Sequence, residues 1–334
     1  MKVLVLGGTH HVGRSIVEVA LARGDDVTML NRGVTGHLTP GVTLLRADRT
    51  RPDEVRAALG DGEWDAVLDT WSGAPSVVRS SARMLAGRTR HYGYVSSRSV
   101  YEWPIRPGLD ESAPVVDGDP SDDDALDYAA AKGGSELAVM ETFSSTLIAR
   151  AGLILGPYED VGRLPWWLRR IEAGGRVLAP GPRDRPLQYI DARDLAIWML
   201  SGAQRRLSGT FNAVGPPGST TMGRLLDAVR TSTRSDAQLV WVSPELVESA
   251  GIAPWTEMPI WVPPTGEFAG LHNGNVKAAL REGLACRPIE ETVADTWAWL
   301  QLEGDPPVRE DRPQHGISPA REAAALDAAE AAQV

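Results

Sequence analysis

The stretch "KVLVLGGTHHVGRSIVEVALARGDDVTMLNRG", residues 2–33, constrains the fold more than any other part of the chain. Residues 3–6 form a short apolar run, a glycine turn follows, and residues 12–23 carry apolar side chains at helical spacing. A second short apolar run occupies residues 27–30. Strand-length runs flanking a segment of period 3.6 predict a β-α-β unit, which requires parallel strands.

The alternation continues, with strands predicted at 42–45, Ala66–Asp69, 91–96 and 146–149 and helices near Pro52–Leu59, Pro75–Leu85 and 125–143. Strands separated by helices imply an α/β, doubly wound parallel sheet. After "GLILGPYED" the chain turns Pro-, Gly- and Trp-rich, which suits a smaller unit of short helices and loops. Two later pieces return to the sheet pattern, "QYIDARDLAIWML", with Asp191 or Asp194 near a helix start, and "GTFNAVG". The expected division is a first domain of 1–160 plus about 186–215, and a discontinuous substrate domain of about 161–185 plus 216–304. Residues 305–334, rich in Ala and Glu, have little to bury and are expected to be flexible or helical.

Charge and cysteine content remove several function classes. A net charge of −10 supplies no basic footprint for nucleic acid or an anionic membrane. The single cysteine, Cys286, excludes an internal disulfide and a cysteine-based metal cluster. No apolar run approaches the roughly 20 residues of a membrane span, and the chain opens on a strand pattern, so a cytoplasmic location is expected. No residues stand at metal-ligand spacing, and a metal is not expected.

The glycine turn is placed as phosphate binding requires. Gly7, Gly8 and Gly13, with Thr9 and Val12 between them, lie between the first strand and the first helix, whose N-terminal N–H groups suit a pyrophosphate. The middle glycine of the usual pattern is His10, so its side chain must turn away or contact phosphate itself; the same choice applies to His11. At the end of the second strand, where a carboxylate would bind the ribose of NAD, the chain reads Asn31-Arg32. A guanidinium there favours the 2′-phosphate of NADP(H), with NAD(H) the alternative.

Tyr128 and Lys132 in "DYAAAKGGSELAVMETF" are four apart on a predicted helix and so share one face. Lys132 is one of only three lysines among 34 basic residues. An ammonium beside a phenol favours the phenolate, which makes the pair a candidate general acid/base. Ser97, ending the strand in "HYGYVSSRSVYEW", can hold a substrate oxygen at the carboxyl edge of the sheet, where such sheets bind ligands. The preceding acidic stretch, "DGDPSDDDALD", reads as a solvated loop with a helix-capping Asp.

Taken together, "LGGTHHVG", "VSSRSVY", "YAAAK", "ARAGLILGP", "QYIDARDLA" and "FNAVG" resemble the extended and atypical short-chain dehydrogenase/reductase superfamily, in particular its NAD-dependent epimerase/dehydratase family. The resemblance covers about residues 1–302 and implies a Rossmann-like fold. It makes Ser97 the catalytic serine, Tyr128 the acid/base and Lys132 its partner. It also places Asp48 near the adenine, the loop from Asp69 with Thr70 beside the cofactor, and Gly152 near the nicotinamide. A homodimer through the helices near Pro75–Leu85 and 125–143 is implied by resemblance alone. Sugar-nucleotide dehydratases of this family carry an Asp-Glu pair after the serine, whereas this chain has Arg98-Ser99, which argues against dehydration.

The expected function is an NADP(H)-dependent oxidoreductase acting on a carbonyl or alcohol of a small metabolite. Eight of the eleven tryptophans lie at Trp166 or later, so Trp166, Trp261 and the polar His272 are expected to line an apolar or aromatic substrate surface. The alternatives are an NAD-dependent nucleotide-sugar epimerase and a non-catalytic nucleotide-sensing or partner-binding protein.

Overall fold

The computed structural model describes residues 1–34, 39–307 and 313–331. The N-terminal alternation comprises β1 (Lys2–Leu6), α1 (His11–Ala22), β2 (Asp26–Asn31), β3 (Thr43–Arg46), α2 (Pro52–Leu59), β4 (Ala66–Asp69), α3 (Pro75–Leu85), β5 (Tyr92–Ser97), α4 (Tyr128–Thr142) and β6 (Thr146–Ala151). The chain continues through β7 (Leu153–Leu155), α5 (Arg163–Glu172), β8 (Arg176–Pro180), β9 (Pro186–Leu187), β10 (Tyr189–Asp191), α6 (Ala192–Arg205) and β11 (Gly209–Ala213). It closes with β12 (Thr220–Thr221), α7 (Met222–Thr233), β13 (Gln238–Val242), α8 (Pro244–Ser249), α9 (Lys277–Arg281), α10 (Ile289–Glu303) and α11 (Pro319–Ala331).

Seven strands form one parallel sheet in the order β11-β6-β5-β4-β1-β2-β3. Val3, Leu4 and Val5 of β1 are fully buried because helices cover both faces, which is why the strand reads as an unbroken apolar run. One face packs against α1 and α6 through Ile16, Val17, Leu195 and Met199. The other packs against α2, α3 and α4 through Val55, Val78, Leu85 and Val139. A third core joins α5, β8, α7, β13, α10 and α11 around Trp167, Leu178, Leu226 and Trp261.

Two sequence expectations change. β11 takes its place at the sheet edge beside β6, but β10 pairs with β7 in a separate two-stranded parallel sheet. Asp191 caps α6 through Arg193 N, and Asp194 instead holds Arg287. The second change concerns the tail, which does have something to bury. Ala325, Leu326 and Ala329 of α11 join the third core, and buried Glu322 accepts from Arg170 and from Leu178 N. Residues 308–312 and 332–334 of that tail lie outside the described residues.

Candidate active site

The strand order reverses between β1 and β4, and a crevice opens at the carboxyl ends of strands at such a point. The turn after β1 and the residue after β4 meet there. Gly7 and Gly8 have φ of +123° and +98°, which glycine adopts freely. A Cβ at Gly7 would lie 2.6 Å from Thr70 Oγ1, which donates to Leu6 O. A Cβ at Gly13 would lie 2.7 Å from Gly8 N, so α1 starts flush against the turn with its N-terminus at the crevice. Glycine turn, helix N-terminus and Thr70 together fit a dinucleotide diphosphate. Thr9 and Val12 lie within the same turn and helix start.

His10 turns toward the loop after β7. It occupies the N-cap of α1 without a side-chain capping bond, and its Nδ1 lies 3.4 Å from Asp160 Oδ2. From the same loop Tyr158 O accepts from His11 N at 3.2 Å, so one first-turn amide already has a protein partner. The His11 ring is buried, and that burial holds its pKa below 6.5 against the pull of Glu159 and Asp160. The loop is strapped down further by Arg14, whose guanidinium lies 3.6 Å from the centre of the Tyr158 ring and forks onto Glu303.

At the adenosine end, Asn31 is internal bracing. Its Nδ2 donates to Gly7 O and its Oδ1 accepts from Gly33 N. Arg32 is exposed, with Asp48 close by. The Thr50 hydroxyl and amide, and then Arg32 and Arg51, hold the Asp48 carboxyl below its ordinary range.

The serine, tyrosine and lysine gather at the same edge of the sheet. Ser97 is the last residue of β5, and its Oγ accepts from Ser99 N and donates to Ser99 Oγ. Tyr128 is the first residue of α4 and is 46% exposed. Asp127 caps this helix through Ala129 N and Ala130 N. Lys132, one turn on, is 4% exposed and donates to Trp71 O at 2.6 Å and Val95 O at 2.8 Å. It thus ties the loop after β4 to the strand that carries Ser97.

Two buried ion pairs stiffen this edge from behind. Arg49 forks onto Asp69, which also accepts from the Tyr92 hydroxyl. Arg150 binds Glu136, whose Oε1 accepts from Ser96. Gly152 packs against Val214, where a Cβ would come within 2.6 Å of its side chain.

The expected substrate residues do not all join this set. Trp261 is 1% exposed, its indole N–H bonded to Gly181 O, and Trp166 stacks edge-on against buried Trp167. Trp261, with its N–H satisfied, lies inside the third core, and Trp166 packs against that core from its edge. His272 is buried, and its Nδ1 accepts from Gln188 N. Sequence reasoning missed Arg98, which is also buried and donates to Leu271 O and Gln188 Oε1. The one signal was an arginine directly after the serine.

Among the described residues no helix is long and apolar enough to cross a membrane, and no cluster of three or more His, Cys, Asp or Glu could hold a metal ion.

Solved structures share this fold at low sequence identity. The Bordetella bronchiseptica enzyme WbmH, in complex with NAD+, is 16% identical with a TM-score of 0.68, covering 91% of this chain and 99% of that one. A putative epimerase from Burkholderia cenocepacia J2315 is 20% identical with a TM-score of 0.69, covering 90% and 98%. The UDP-N-acetylglucosamine 4-epimerase of Methanobrevibacter ruminantium M1, in complex with UDP-N-acetylmuramic acid, is 16% identical with a TM-score of 0.66, covering 90% and 98%. No curated protein sequence matches the chain significantly. The model of the NAD dependent epimerase/dehydratase family matches residues 3–215, and the chain belongs to that family.

Proposed function

We propose that this chain is an NAD-dependent nucleotide-sugar epimerase, with Ser97, Tyr128 and Lys132 as its catalytic residues. The observation that carries the reading is Lys132, a buried ammonium pinned between the loop after β4 and the strand of Ser97, one helical turn from Tyr128. NAD, when bound, supplies the hydride acceptor. Tyr128 takes the proton of the reacting hydroxyl, and the N-terminus of α4 and the Lys132 charge both favour its phenolate. Ser97 holds the same oxygen. Gly7, Thr9, Val12 and Gly13 line the diphosphate, with His10 and His11 at its mouth. Thr70 and Gly152 face the nicotinamide end, and Arg32 and Asp48 the adenosine end. The third core, with Trp166 at its surface, belongs to the substrate domain. The enzyme is a cytoplasmic homodimer through α3 and α4, where Leu137 and Met140 are exposed; sedimentation tests the dimer.

NAD is preferred over NADP because the Asp48 charge stands beside Arg32 and opposes a 2′-phosphate there. Arg32 itself favours a second reading, an NADP(H)-dependent carbonyl reductase. Denaturing the purified protein and identifying the released nucleotide separates the two. Stoichiometric NAD supports the epimerase. Protein that retains no nucleotide and binds NADPH in preference to NADH overturns it in favour of the reductase.

A further inference from the structure

Directly after the serine, Arg98 buries a charge that no carboxylate pairs with among the described residues. The side chain is 4% exposed. Its Nη1 is committed to Leu271 O and Gln188 Oε1, whereas Nε and Nη2 have no hydrogen-bond partner among the described residues. Glu111 acts on it from a distance, but that carboxylate accepts from Asn212 N. A second buried arginine, Arg185, donates Nη2 to Pro263 O and leaves Nε without a hydrogen-bond partner among the described residues. Both arginines act on His272, and burial, followed by Arg185 and Arg98, brings its pKa down to about 3. The imidazole is therefore neutral, and the cluster presents two cations with no carboxylate bonded to either among the described residues.

A buried guanidinium in this state costs free energy, and unsatisfied buried donors call for a partner. Nε–H and Nη2–H form the side edge of the guanidinium, the pair of parallel donors that accepts a carboxylate in bidentate fashion. The cover over this edge is the 270–275 turn. A Cβ at Gly274 would lie 2.3 Å from Nη2, and Gln188 clamps the turn by donating to Gly274 O and accepting from Gly274 N.

We propose that the Nε/Nη2 edge of Arg98, backed by Arg185 and His272 beneath the 270–275 turn, receives a carboxylate carried by the substrate. The proposal rests on the nucleotide-sugar reading and adds that the sugar is acidic, of the uronate type. Its carboxylate displaces the Gly274 cover.

Calorimetric titration of the NAD-loaded full-length protein with glucuronate, glucose, UDP-glucuronate and UDP-glucose tests it. Each acidic probe is expected to bind about tenfold or more tightly than its neutral partner, the scale of hydrogen bonds to a charged group. Arg98→Lys, which keeps a cation and removes the fork, erases that preference. Arg98→Met, which removes the buried charge together with the fork, also erases it and stands in if the first variant fails to fold. A preference confined to the free-sugar pair keeps the carboxylate site and discards the nucleotide-sugar reading, whereas one confined to the UDP pair supports both. Equal affinities in both pairs, or a preference that survives both substitutions, overturns the proposal. So does inorganic phosphate competing as well as glucuronate, since the site would then be one for a diphosphate.

Discussion

The proposed catalytic end and the proposed nucleotide end of the crevice are built on opposite principles. At the catalytic end Lys132 is enclosed and held by two carbonyls, Tyr128 stands half open at a helix start, and Arg150–Glu136 and Arg49–Asp69 brace the strands behind them. At the nucleotide end the α1 terminus is engaged by its own chain, with His11 N bonded to Tyr158 O and His10 facing Asp160. The first end is preorganised, so its substitutions should act on turnover and stability. The second must yield to a ligand, so its substitutions should act on affinity.

Tyr128→Phe gives the largest expected effect. Loss of a positioned acid/base lowers kcat by about 10²–10⁴-fold. Nucleotide affinity should stay close to wild type, because the proposed diphosphate contacts lie at β1 and α1. A parallel measurement of turnover and nucleotide Kd checks the split, and a large rise in Kd would mean that the two ends are not separable.

Glu136→Leu tests the bracing. Removing one partner of a buried pair leaves Arg150 uncompensated and costs about 3–5 kcal/mol, read from urea unfolding. Glu136→Leu combined with Arg150→Leu should recover much of that loss, since the unpaired charge is then gone. If the single substitution is neutral, the edge is not held by this pair.

Acid acts on the fold without mutation. Burial, then Arg206, lowers the pKa of His91 to about 4, and burial, then the two arginines, lowers that of His272 to about 3. Both folded values lie below the unfolded value near 6.5, so the unfolded chain binds the extra protons. Stability is therefore full above pH 6.5 and falls as the pH drops toward 4 and 3. At about 1.4 kcal/mol per pH unit, each histidine withdraws about 2 kcal/mol between pH 6.5 and 5. Unfolding midpoints of wild type and His272→Gln over this interval check the sign, and parallel pH profiles would show that His272 does not contribute.

The contrast between the two ends also marks what was legible in the sequence. Ala66–Asp69, Pro52–Leu59 and Pro75–Leu85 lie where apolar spacing placed them, because strands and helices facing a common core carry local period signals. α4 begins at Tyr128, later than the predicted 125, because Asp127 caps it. Ser97, Tyr128 and Lys132 could be singled out from short motifs, because Ser97 ends β5, Tyr128 opens α4 and Lys132 follows one helical turn later. The strap was invisible, since Asp160 and His10 meet only through the fold and neither lies in a pattern with a period. β10 has the apolar run of a sheet strand, and nothing local separates pairing with β7 from pairing in the main sheet. α11 buries Glu322 through Arg170, a partner 152 residues away that the Ala-rich composition of the tail conceals. "SRS" around Arg98 looks solvated, and only the 270–275 turn buries it.

Asp160→Asn sharpens the contrast with the smallest expected effect. Asp160 places a carboxylate against His10 at the mouth of the α1 terminus, where a diphosphate brings further negative charge. Deleting that charge should favour the diphosphate by the amount typical of a helix terminus at a partly exposed site, about 0.3–1 kcal/mol, or a few-fold in Kd. The gain should fade as ionic strength rises and the Debye length shrinks to about 10 Å at 0.1 M. Fluorescence titration with NADH at low and high salt reads both quantities, while turnover at saturating nucleotide stays unchanged. Weaker binding in the variant would reverse the assignment, making Asp160 the group that holds His10 in a productive position rather than a competitor for the site.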